Sequence, residues 1–204
     1  MYSRNIESGN LIPCENYCDQ PYIVVLPSGA WLCVMTTGSG LESKPGQHIV
    51  STTSSDYGVS WSELIDVESA DDFMSSWATP LLVPGGRVYA FYNYNFDGKA
   101  SQTGGWLVYR YTDDGGLTWS SRRHRVPMRI TERDRTNDSS GEYQYFWVID
   151  KPIVADGHML FAFTKLRNGF QINGGEGWLI CSDNILTERD PERINWELLP
   201  EGEK

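Results

Sequence analysis

Ser54-Ser55-Asp56-Tyr57-Gly58-Val59-Ser60-Trp61 returns further along the chain as Thr112-Asp113-Asp114-Gly115-Gly116-Leu117-Thr118-Trp119. Both octets read Ser/Thr-x-Asp-x-Gly-x-Ser/Thr-Trp. Each residue type has a local job. Asp at a turn accepts backbone N–H groups, Gly takes a positive φ, and Trp packs the base of a hairpin. Asp56, Gly58, Trp61, Asp114, Gly116 and Trp119 are therefore candidate turn staples, with a catalytic role for Asp56 and Asp114 as the alternative. A third, degenerate copy starts at Ser182-Asp183-Asn184, is interrupted, and closes at Asn195-Trp196.

Working outward from these turns exposes a threefold repeat. Apolar runs flank a tight turn at 21–26 and 30–35 around Pro27-Ser28-Gly29, and at 80–83 and 87–92 around Pro84-Gly85-Gly86. They do so again at 152–154 and 158–163 around Ala155-Asp156-Gly157. Each reads as strand, turn, strand. Third strands follow at 48–53, 106–111 and 178–181, and each runs into one of the Trp-terminated turns. From Pro21 to Trp61, Pro80 to Trp119 and Pro152 to Trp196 the spans are about 40 residues, the size of a four-stranded propeller blade. The spacing predicts blade-like units over 19–62, 78–120 and 150–199. The only helical pattern, at 187–192, is short and broken by Pro191.

Composition agrees with an all-β reading. Of 204 residues, 40% are hydrophobic, 13% aromatic and 22% charged, with 20 glycines. That is a globular composition rich in strand formers and turn residues. The net charge of -10 argues against a nucleic-acid partner, which needs a basic face. No apolar run is long enough to span a bilayer, and Met1-Tyr2-Ser3-Arg4-Asn5 has no apolar core behind it, so neither a membrane segment nor a signal peptide is read here. Four cysteines are too few for a disulfide scaffold. Cys14 and Cys18 are read as either paired or reduced, and Cys33 as a buried apolar residue. No metal-binding spacing occurs, and Asn93-Tyr94-Asn95-Phe96-Asp97-Gly98 lacks the closing Glu of a calcium loop, so no metal or cofactor is expected.

The two octets resemble the Asp-box, or bacterial neuraminidase repeat, of the sialidase superfamily. The resemblance implies a β-propeller of four-stranded antiparallel blades, about three of a probable six lying in this chain. It also implies a glycan substrate in the axial pocket, and places the boxes on the outer edge, away from the sugar. Where sialidases carry Arg-Ile-Pro, whose arginine clamps the sialic acid carboxylate, this chain has Asp19-Gln20-Pro21. An aspartate repels a carboxylate, so sialic acid specificity is not implied.

Residues entering the inner strands, and the loops after the second strands, should converge on the axial pocket. Asp19 and Asp150 each precede a proline by two residues and can form an acid/base pair; the alternative is backbone bonding at a strand entry. Glu42 and His48 lie in the loop where the family places its acid/base aspartate. Gln20, Trp77, Asn95, Asp97, Lys151 and Arg167 are candidate substrate-binding residues, with Lys165 adding to a cationic side. Arg122 through Arg135 is locally basic, and is read as a solvated linker or an anion site. The reading is a sialidase-like glycoside hydrolase, with a non-catalytic lectin-like propeller or a protein scaffold as alternatives. A homodimer is one way to complete the ring.

Overall fold

The strand β6 (Val88–Tyr94) is buried at every position, which explains why its sequence is a continuous apolar run rather than an alternating one. Val88, Ala90, Tyr92 and Tyr94 point into one apolar cluster with Leu32, Val34 and Ile49. Tyr89 and Phe91 point into another with Phe146, Met159, Phe161 and Ile180. Period-two alternation sends successive side chains to opposite faces, so the sheet containing β6 is sandwiched between two others. The computed structural model that shows this describes residues 5–96, 98, 103–169 and 173–202.

The first antiparallel meander is β1 (Tyr17–Val25), β2 (Trp31–Gly38), β3 (His48–Ser54) and β4 (Ile65–Glu68), in that order across the sheet. The second is β5 (Ser75–Leu82), β6, β7 (Gly104–Thr112) and the short β8 (His124–Arg125). In the third, β9 (Gln144–Trp147) and β10 (Ile153–Ala155) both pair with β11 (His158–Leu166), followed by β12 (Glu176–Ser182) and β13 (Glu197–Leu199). Gly104 and Gly105 also pair with Tyr145 and Gln144, joining the second and third meanders along one backbone seam. The architecture is almost entirely antiparallel β, as the repeat predicts.

Among the described residues, helix is confined to one α-helical turn, α1 (Glu132–Arg135), and two 3-10 turns at Ile6–Ser8 and Pro191–Arg193. The α-helical turn lies in the basic linker, where Thr131 and Asp134 form a capping box. Several arginines of that linker are engaged within the molecule. Arg123 binds Glu68 and Asp72, Arg129 donates to the carbonyls of Leu198, Pro200 and Gly202, Arg133 pairs with Glu176, and Arg125 lies over the Trp106 ring.

Glu68 ties the first meander to the second. Its carboxylate is buried and accepts from the Tyr92 hydroxyl at 2.7 Å, Arg110 Nη2 at 3.1 Å and Arg123 Nε at 2.5 Å. A buried charge survives only when paired this fully.

Candidate functional site

The two Ser/Thr-x-Asp-x-Gly-x-Ser/Thr-Trp turns, which follow β3 and β7, lie at one end of the sheets. In the first, Asp56 accepts from Ser54 Oγ at 2.8 Å, Ser60 N at 2.9 Å and Ser60 Oγ at 2.6 Å. In the second, Asp114 accepts from Thr112 Oγ1, Thr118 N and Thr118 Oγ1 at 2.7, 2.9 and 2.6 Å. These bonds hold both carboxyls down at about 2. Gly116 has φ +94°, and a Cβ there would meet Leu32 Cδ1 at 2.6 Å. The side chains are fully engaged in turn geometry.

At the opposite end, Tyr17 and Asp19 project from the same side of β1, two residues apart. Glu42 reaches them from the loop between β2 and β3. Burial, and then the neighbouring Asp19 and Glu42 carboxylates, push the pKa of the Tyr17 hydroxyl far above the ordinary phenol range. Asp19 is half-buried, and its carboxyl is raised by that burial. Tyr17's hydrogen bond opposes the rise and the Glu42 charge adds to it. The loop carrying Glu42 is anchored by Gln47, whose amide accepts from Ser43 N at 2.8 Å and donates to Ser76 Oγ at 2.6 Å on β5.

Tyr22 extends this group toward the third meander. Its hydroxyl donates to the Ile149 carbonyl at 2.5 Å, and its pKa is raised by burial and by the charges of Asp150 and Asp19 on either side. Lys151 Nζ donates to the Ile23 carbonyl at 3.3 Å and stands 5.9 Å from the Tyr22 ring. Asp150 is exposed, accepts from the Lys151 N–H at 2.7 Å, and lies on an open groove of about 780 Å³ with Trp147, Phe163 and Trp178.

The register corrects the expected equivalence of Asp19 and Asp150. Asp19 faces Thr36, Ser76 faces Asn93, and Trp147 faces Thr164. These three partners are matched, because Trp31, Val88 and Met159 all pair with the first residue of a box or its degenerate copy. Trp147, not Asp150, therefore stands where Asp19 does. Asp150 falls in the interruption between β9 and β10. The prolines misled: Pro80 pairs with Ala90 in regular strand, whereas Pro21 lies in a bulge between Asp19 and Tyr22.

Several expected contact residues are structural. Trp77 is 3% exposed, sits at φ 59° in the bulge of β5, donates its N–H to Thr36 Oγ1 at 2.8 Å and packs on Trp147. It offers no open face to a sugar. His48 is 2% exposed, with Nδ1 2.8 Å from the Gly46 carbonyl and Nε2 3.6 Å from Asp66. Asn95 is buried, and its side chain accepts from Gly98 N at 3.1 Å. Lys165 is fully buried on Asp134 at 2.5 Å and on the Arg129 carbonyl at 2.9 Å, and belongs to the core rather than to a cationic rim. Arg167 is exposed beyond β11. Gln20 occupies the bulge of β1 at φ 51°, with a buried amide oxygen that has no hydrogen-bond partner. Asp97 lies outside the described residues.

Tyr17, Tyr22 and Gln47 were not singled out from sequence. Tyr17 carried a legible signal, its i, i+2 spacing to Asp19 on a strand. Among the described residues no group of three His, Cys, Asp or Glu side chains is arranged to hold a metal ion, and no helix is long and apolar enough to cross a membrane.

No family model matches the chain, and no curated protein does. Solved structures resemble it. The Hadza microbial sialidase Hz136 superposes with a TM-score of 0.61 at 13% identity, over 90% of this chain and 37% of its own. An endo-arabinase from Bacteroides thetaiotaomicron gives 0.55 at 14%, over 89% of this chain and 60% of its own. An ulvan lyase of polysaccharide lyase family PL25 gives 0.53 at 12%, over 80% and 38%. What they share with this chain is the fold, a propeller-like stacking of antiparallel sheets. The chain spans less than two thirds of each.

Proposed function

We propose that the chain forms part of a glycan-cleaving propeller, with its reactive end at Tyr17, Asp19 and Glu42. The observation that carries this reading is the meeting of two carboxyls, from different elements, on one phenol, with Asp19 raised. Glycoside hydrolysis calls for one carboxyl that keeps its proton and one that stays ionised. Asp19 is the proton donor in this scheme and Glu42, at the exposed rim, the base or nucleophile. Tyr17 keeps its proton and orients the pair; its raised pKa suits a hydrogen-bond donor, not a phenolate nucleophile. Gln20, whose buried amide oxygen has no hydrogen-bond partner, lies in the bulge next to Asp19, and Asp150 and Lys151 border the site from the third meander. The three meanders act as blades of a larger ring, which further blades or a second copy would complete. Support for a glycan over other substrates comes from the solved neighbours, described as a sialidase, an arabinase and an ulvan lyase.

The test is release of new reducing ends from a panel holding sialylated glycans, arabinan and a uronic-acid polysaccharide, with glycan retention measured in parallel. Asp19→Asn and Glu42→Gln should each lower turnover by about 10²–10⁴-fold and leave retention intact. Unchanged turnover in both variants removes the assignment. Retention without turnover in the unaltered chain supports the lectin-like alternative instead.

A further inference from the structure

Sulfur collects on one face of the first meander, next to Tyr17 but independent of the reading just given. Cys18 on β1 pairs in register with Thr37 of β2, and its thiol donates to Met35 Sδ at 3.5 Å. Cys33 lies on the Met35 side of β2, two residues back, and is fully buried. The chain preceding β1 folds back over this face. Glu15 N donates to Thr37 Oγ1 at 3.0 Å, while the same hydroxyl donates to the Tyr17 carbonyl at 2.7 Å. Asn16 N is fixed on the Gly38 carbonyl at 3.1 Å. Thr37 thus draws the residue after Cys14 onto the cross-strand partner of Cys18. Cys14 and Cys18 are exposed residues, whereas Cys33 and Cys181 are buried, and Cys14 lies near enough to Cys18 to help raise its pKa.

We propose that Cys14 and Cys18 are a peroxide-sensitive thiol pair, closing to an intrachain disulfide that clamps the 14–16 segment against β1 beside Tyr17 and Asp19. Cys18 is held by its contact with Met35 Sδ, while Cys14 stands exposed on the segment before β1, so Cys14 is the first to react. Its thiolate attacks one peroxide oxygen; the O–O bond breaks, hydroxide leaves and takes up a proton as water, and Cys14 becomes a sulfenic acid. The Cys18 sulfur then attacks the Cys14 sulfur, the S–O bond breaks, and the hydroxyl departs as a second water with the Cys18 proton. Two thiols are oxidised by two electrons, and one peroxide is reduced. A small dithiol reverses the bond by exchange. The bond does not require any activity of the protein, so it stands or falls separately from glycan cleavage.

The experiment treats the reduced full chain with stoichiometric hydrogen peroxide, then maps peptides by mass spectrometry before and after dithiothreitol. The expected product has lost two hydrogens, gained no oxygen, and carries a Cys14-to-Cys18 link that dithiothreitol removes. Cys14→Ser and Cys18→Ser should each abolish it; Cys33→Ser and Cys181→Ser should keep it. Because Cys14 precedes the first strand, its variant tests the pair even where Cys18→Ser disturbs the sheet. In the linked form, amide exchange at 14–19 should slow by about tenfold or more. Sulfinic acid at Cys14 without a link, a Cys18-to-Cys33 link, or a link between chains would each overturn the proposal.

Discussion

At the end that carries the Asp56 and Asp114 turns, the first and second meanders repeat one another bond for bond: the two carboxylates hold equivalent sets of three donors at distances that agree within a tenth of an ångström. At the opposite end the matched register positions are Asp19, Ser76 and Trp147, three residues with no common chemistry. The first end is a solved problem in turn geometry, and any unit that needs the turn keeps the solution. The second end has no shared geometric task, so each strand entry is free to carry a different group. Conserved form and divergent chemistry thus lie at opposite ends of the same strands.

The largest expected effect crosses the two ends. Asp19→Asn should cost about 10²–10⁴-fold in glycan turnover with little change in denaturation midpoint, whereas Asp114→Asn should lower the midpoint and leave turnover per folded molecule unchanged. Urea titration and single-substrate kinetics on both variants separate these. If Asp114→Asn loses turnover while staying folded, the division of labour between the ends is wrong. Glu68→Ala comes next and belongs to neither end. It removes the shared buried acceptor of Tyr92, Arg110 and Arg123, leaving Arg123 on Asp72 and Arg110 on the Ser120 carbonyl, and should cost about 1–3 kcal/mol in urea unfolding. A cost below about 1 kcal/mol would mean that the network contributes little to joining the meanders.

Acid titration sharpens the contrast. The folded carboxyls of Asp56 and Asp114 sit at about 2, below the ordinary carboxylate range. Their contribution is complete above about pH 4 and is lost as the pH falls toward about 2. Asp19 is raised instead, so its ionisation on folding is disfavoured and its effect on stability has the opposite sign: stability falls as pH rises through its titration. Asp114→Ala should cost about 1–2 kcal/mol at neutral pH and flatten the acid limb of the stability profile. Asp19→Asn should leave that limb in place and flatten the slope just above it. Identical limbs in all three proteins would remove the link between these bonds and acid stability.

Much of the fold was legible because its signals are local. Gly58 and Gly116 mark positive φ, Asp56 and Asp114 mark turns, and the paired apolar runs became the hairpins that they suggest. The misreadings at Gln20, Trp77 and the prolines share one cause, which is that bulges are counted in the pairing and not in the chain. Both Gln20 and Trp77 take positive φ in a bulge. That turn of the backbone folds Trp77 inward and breaks the proline alignment on which the pairing of Asp19 with Asp150 rested. Lys165 looked like a loop cation because its partner, Asp134, comes from the linker and is remote in sequence. Tyr17 went unnoticed because its importance depends on Glu42, which the β2–β3 loop brings back across a chain reversal.

The smallest effect tests the repeat at its own end. Trp119 donates its indole N–H to Ser51 Oγ of the first meander at 3.0 Å, and Trp196 in the third unit packs on Tyr109 of the second at 5.8 Å between ring centres. Ser51 and Tyr109 are matched positions, facing Val34 and Phe91, so each box tryptophan docks on the third strand of the unit before it. Trp61 belongs to the first unit, and its indole nitrogen is buried without a hydrogen-bond partner. Trp→Phe removes similar apolar area at Trp61 and Trp119, so the difference between the two variants isolates the N–H. Trp119→Phe gives up a satisfied bond, while Trp61→Phe discards a donor that already pays its desolvation unrewarded. Trp119→Phe should therefore be the more destabilising by about 1 kcal/mol in urea unfolding. Equal costs would mean that Trp61 finds an acceptor in solution, and that the first unit's outer face is closed in the same way as the others.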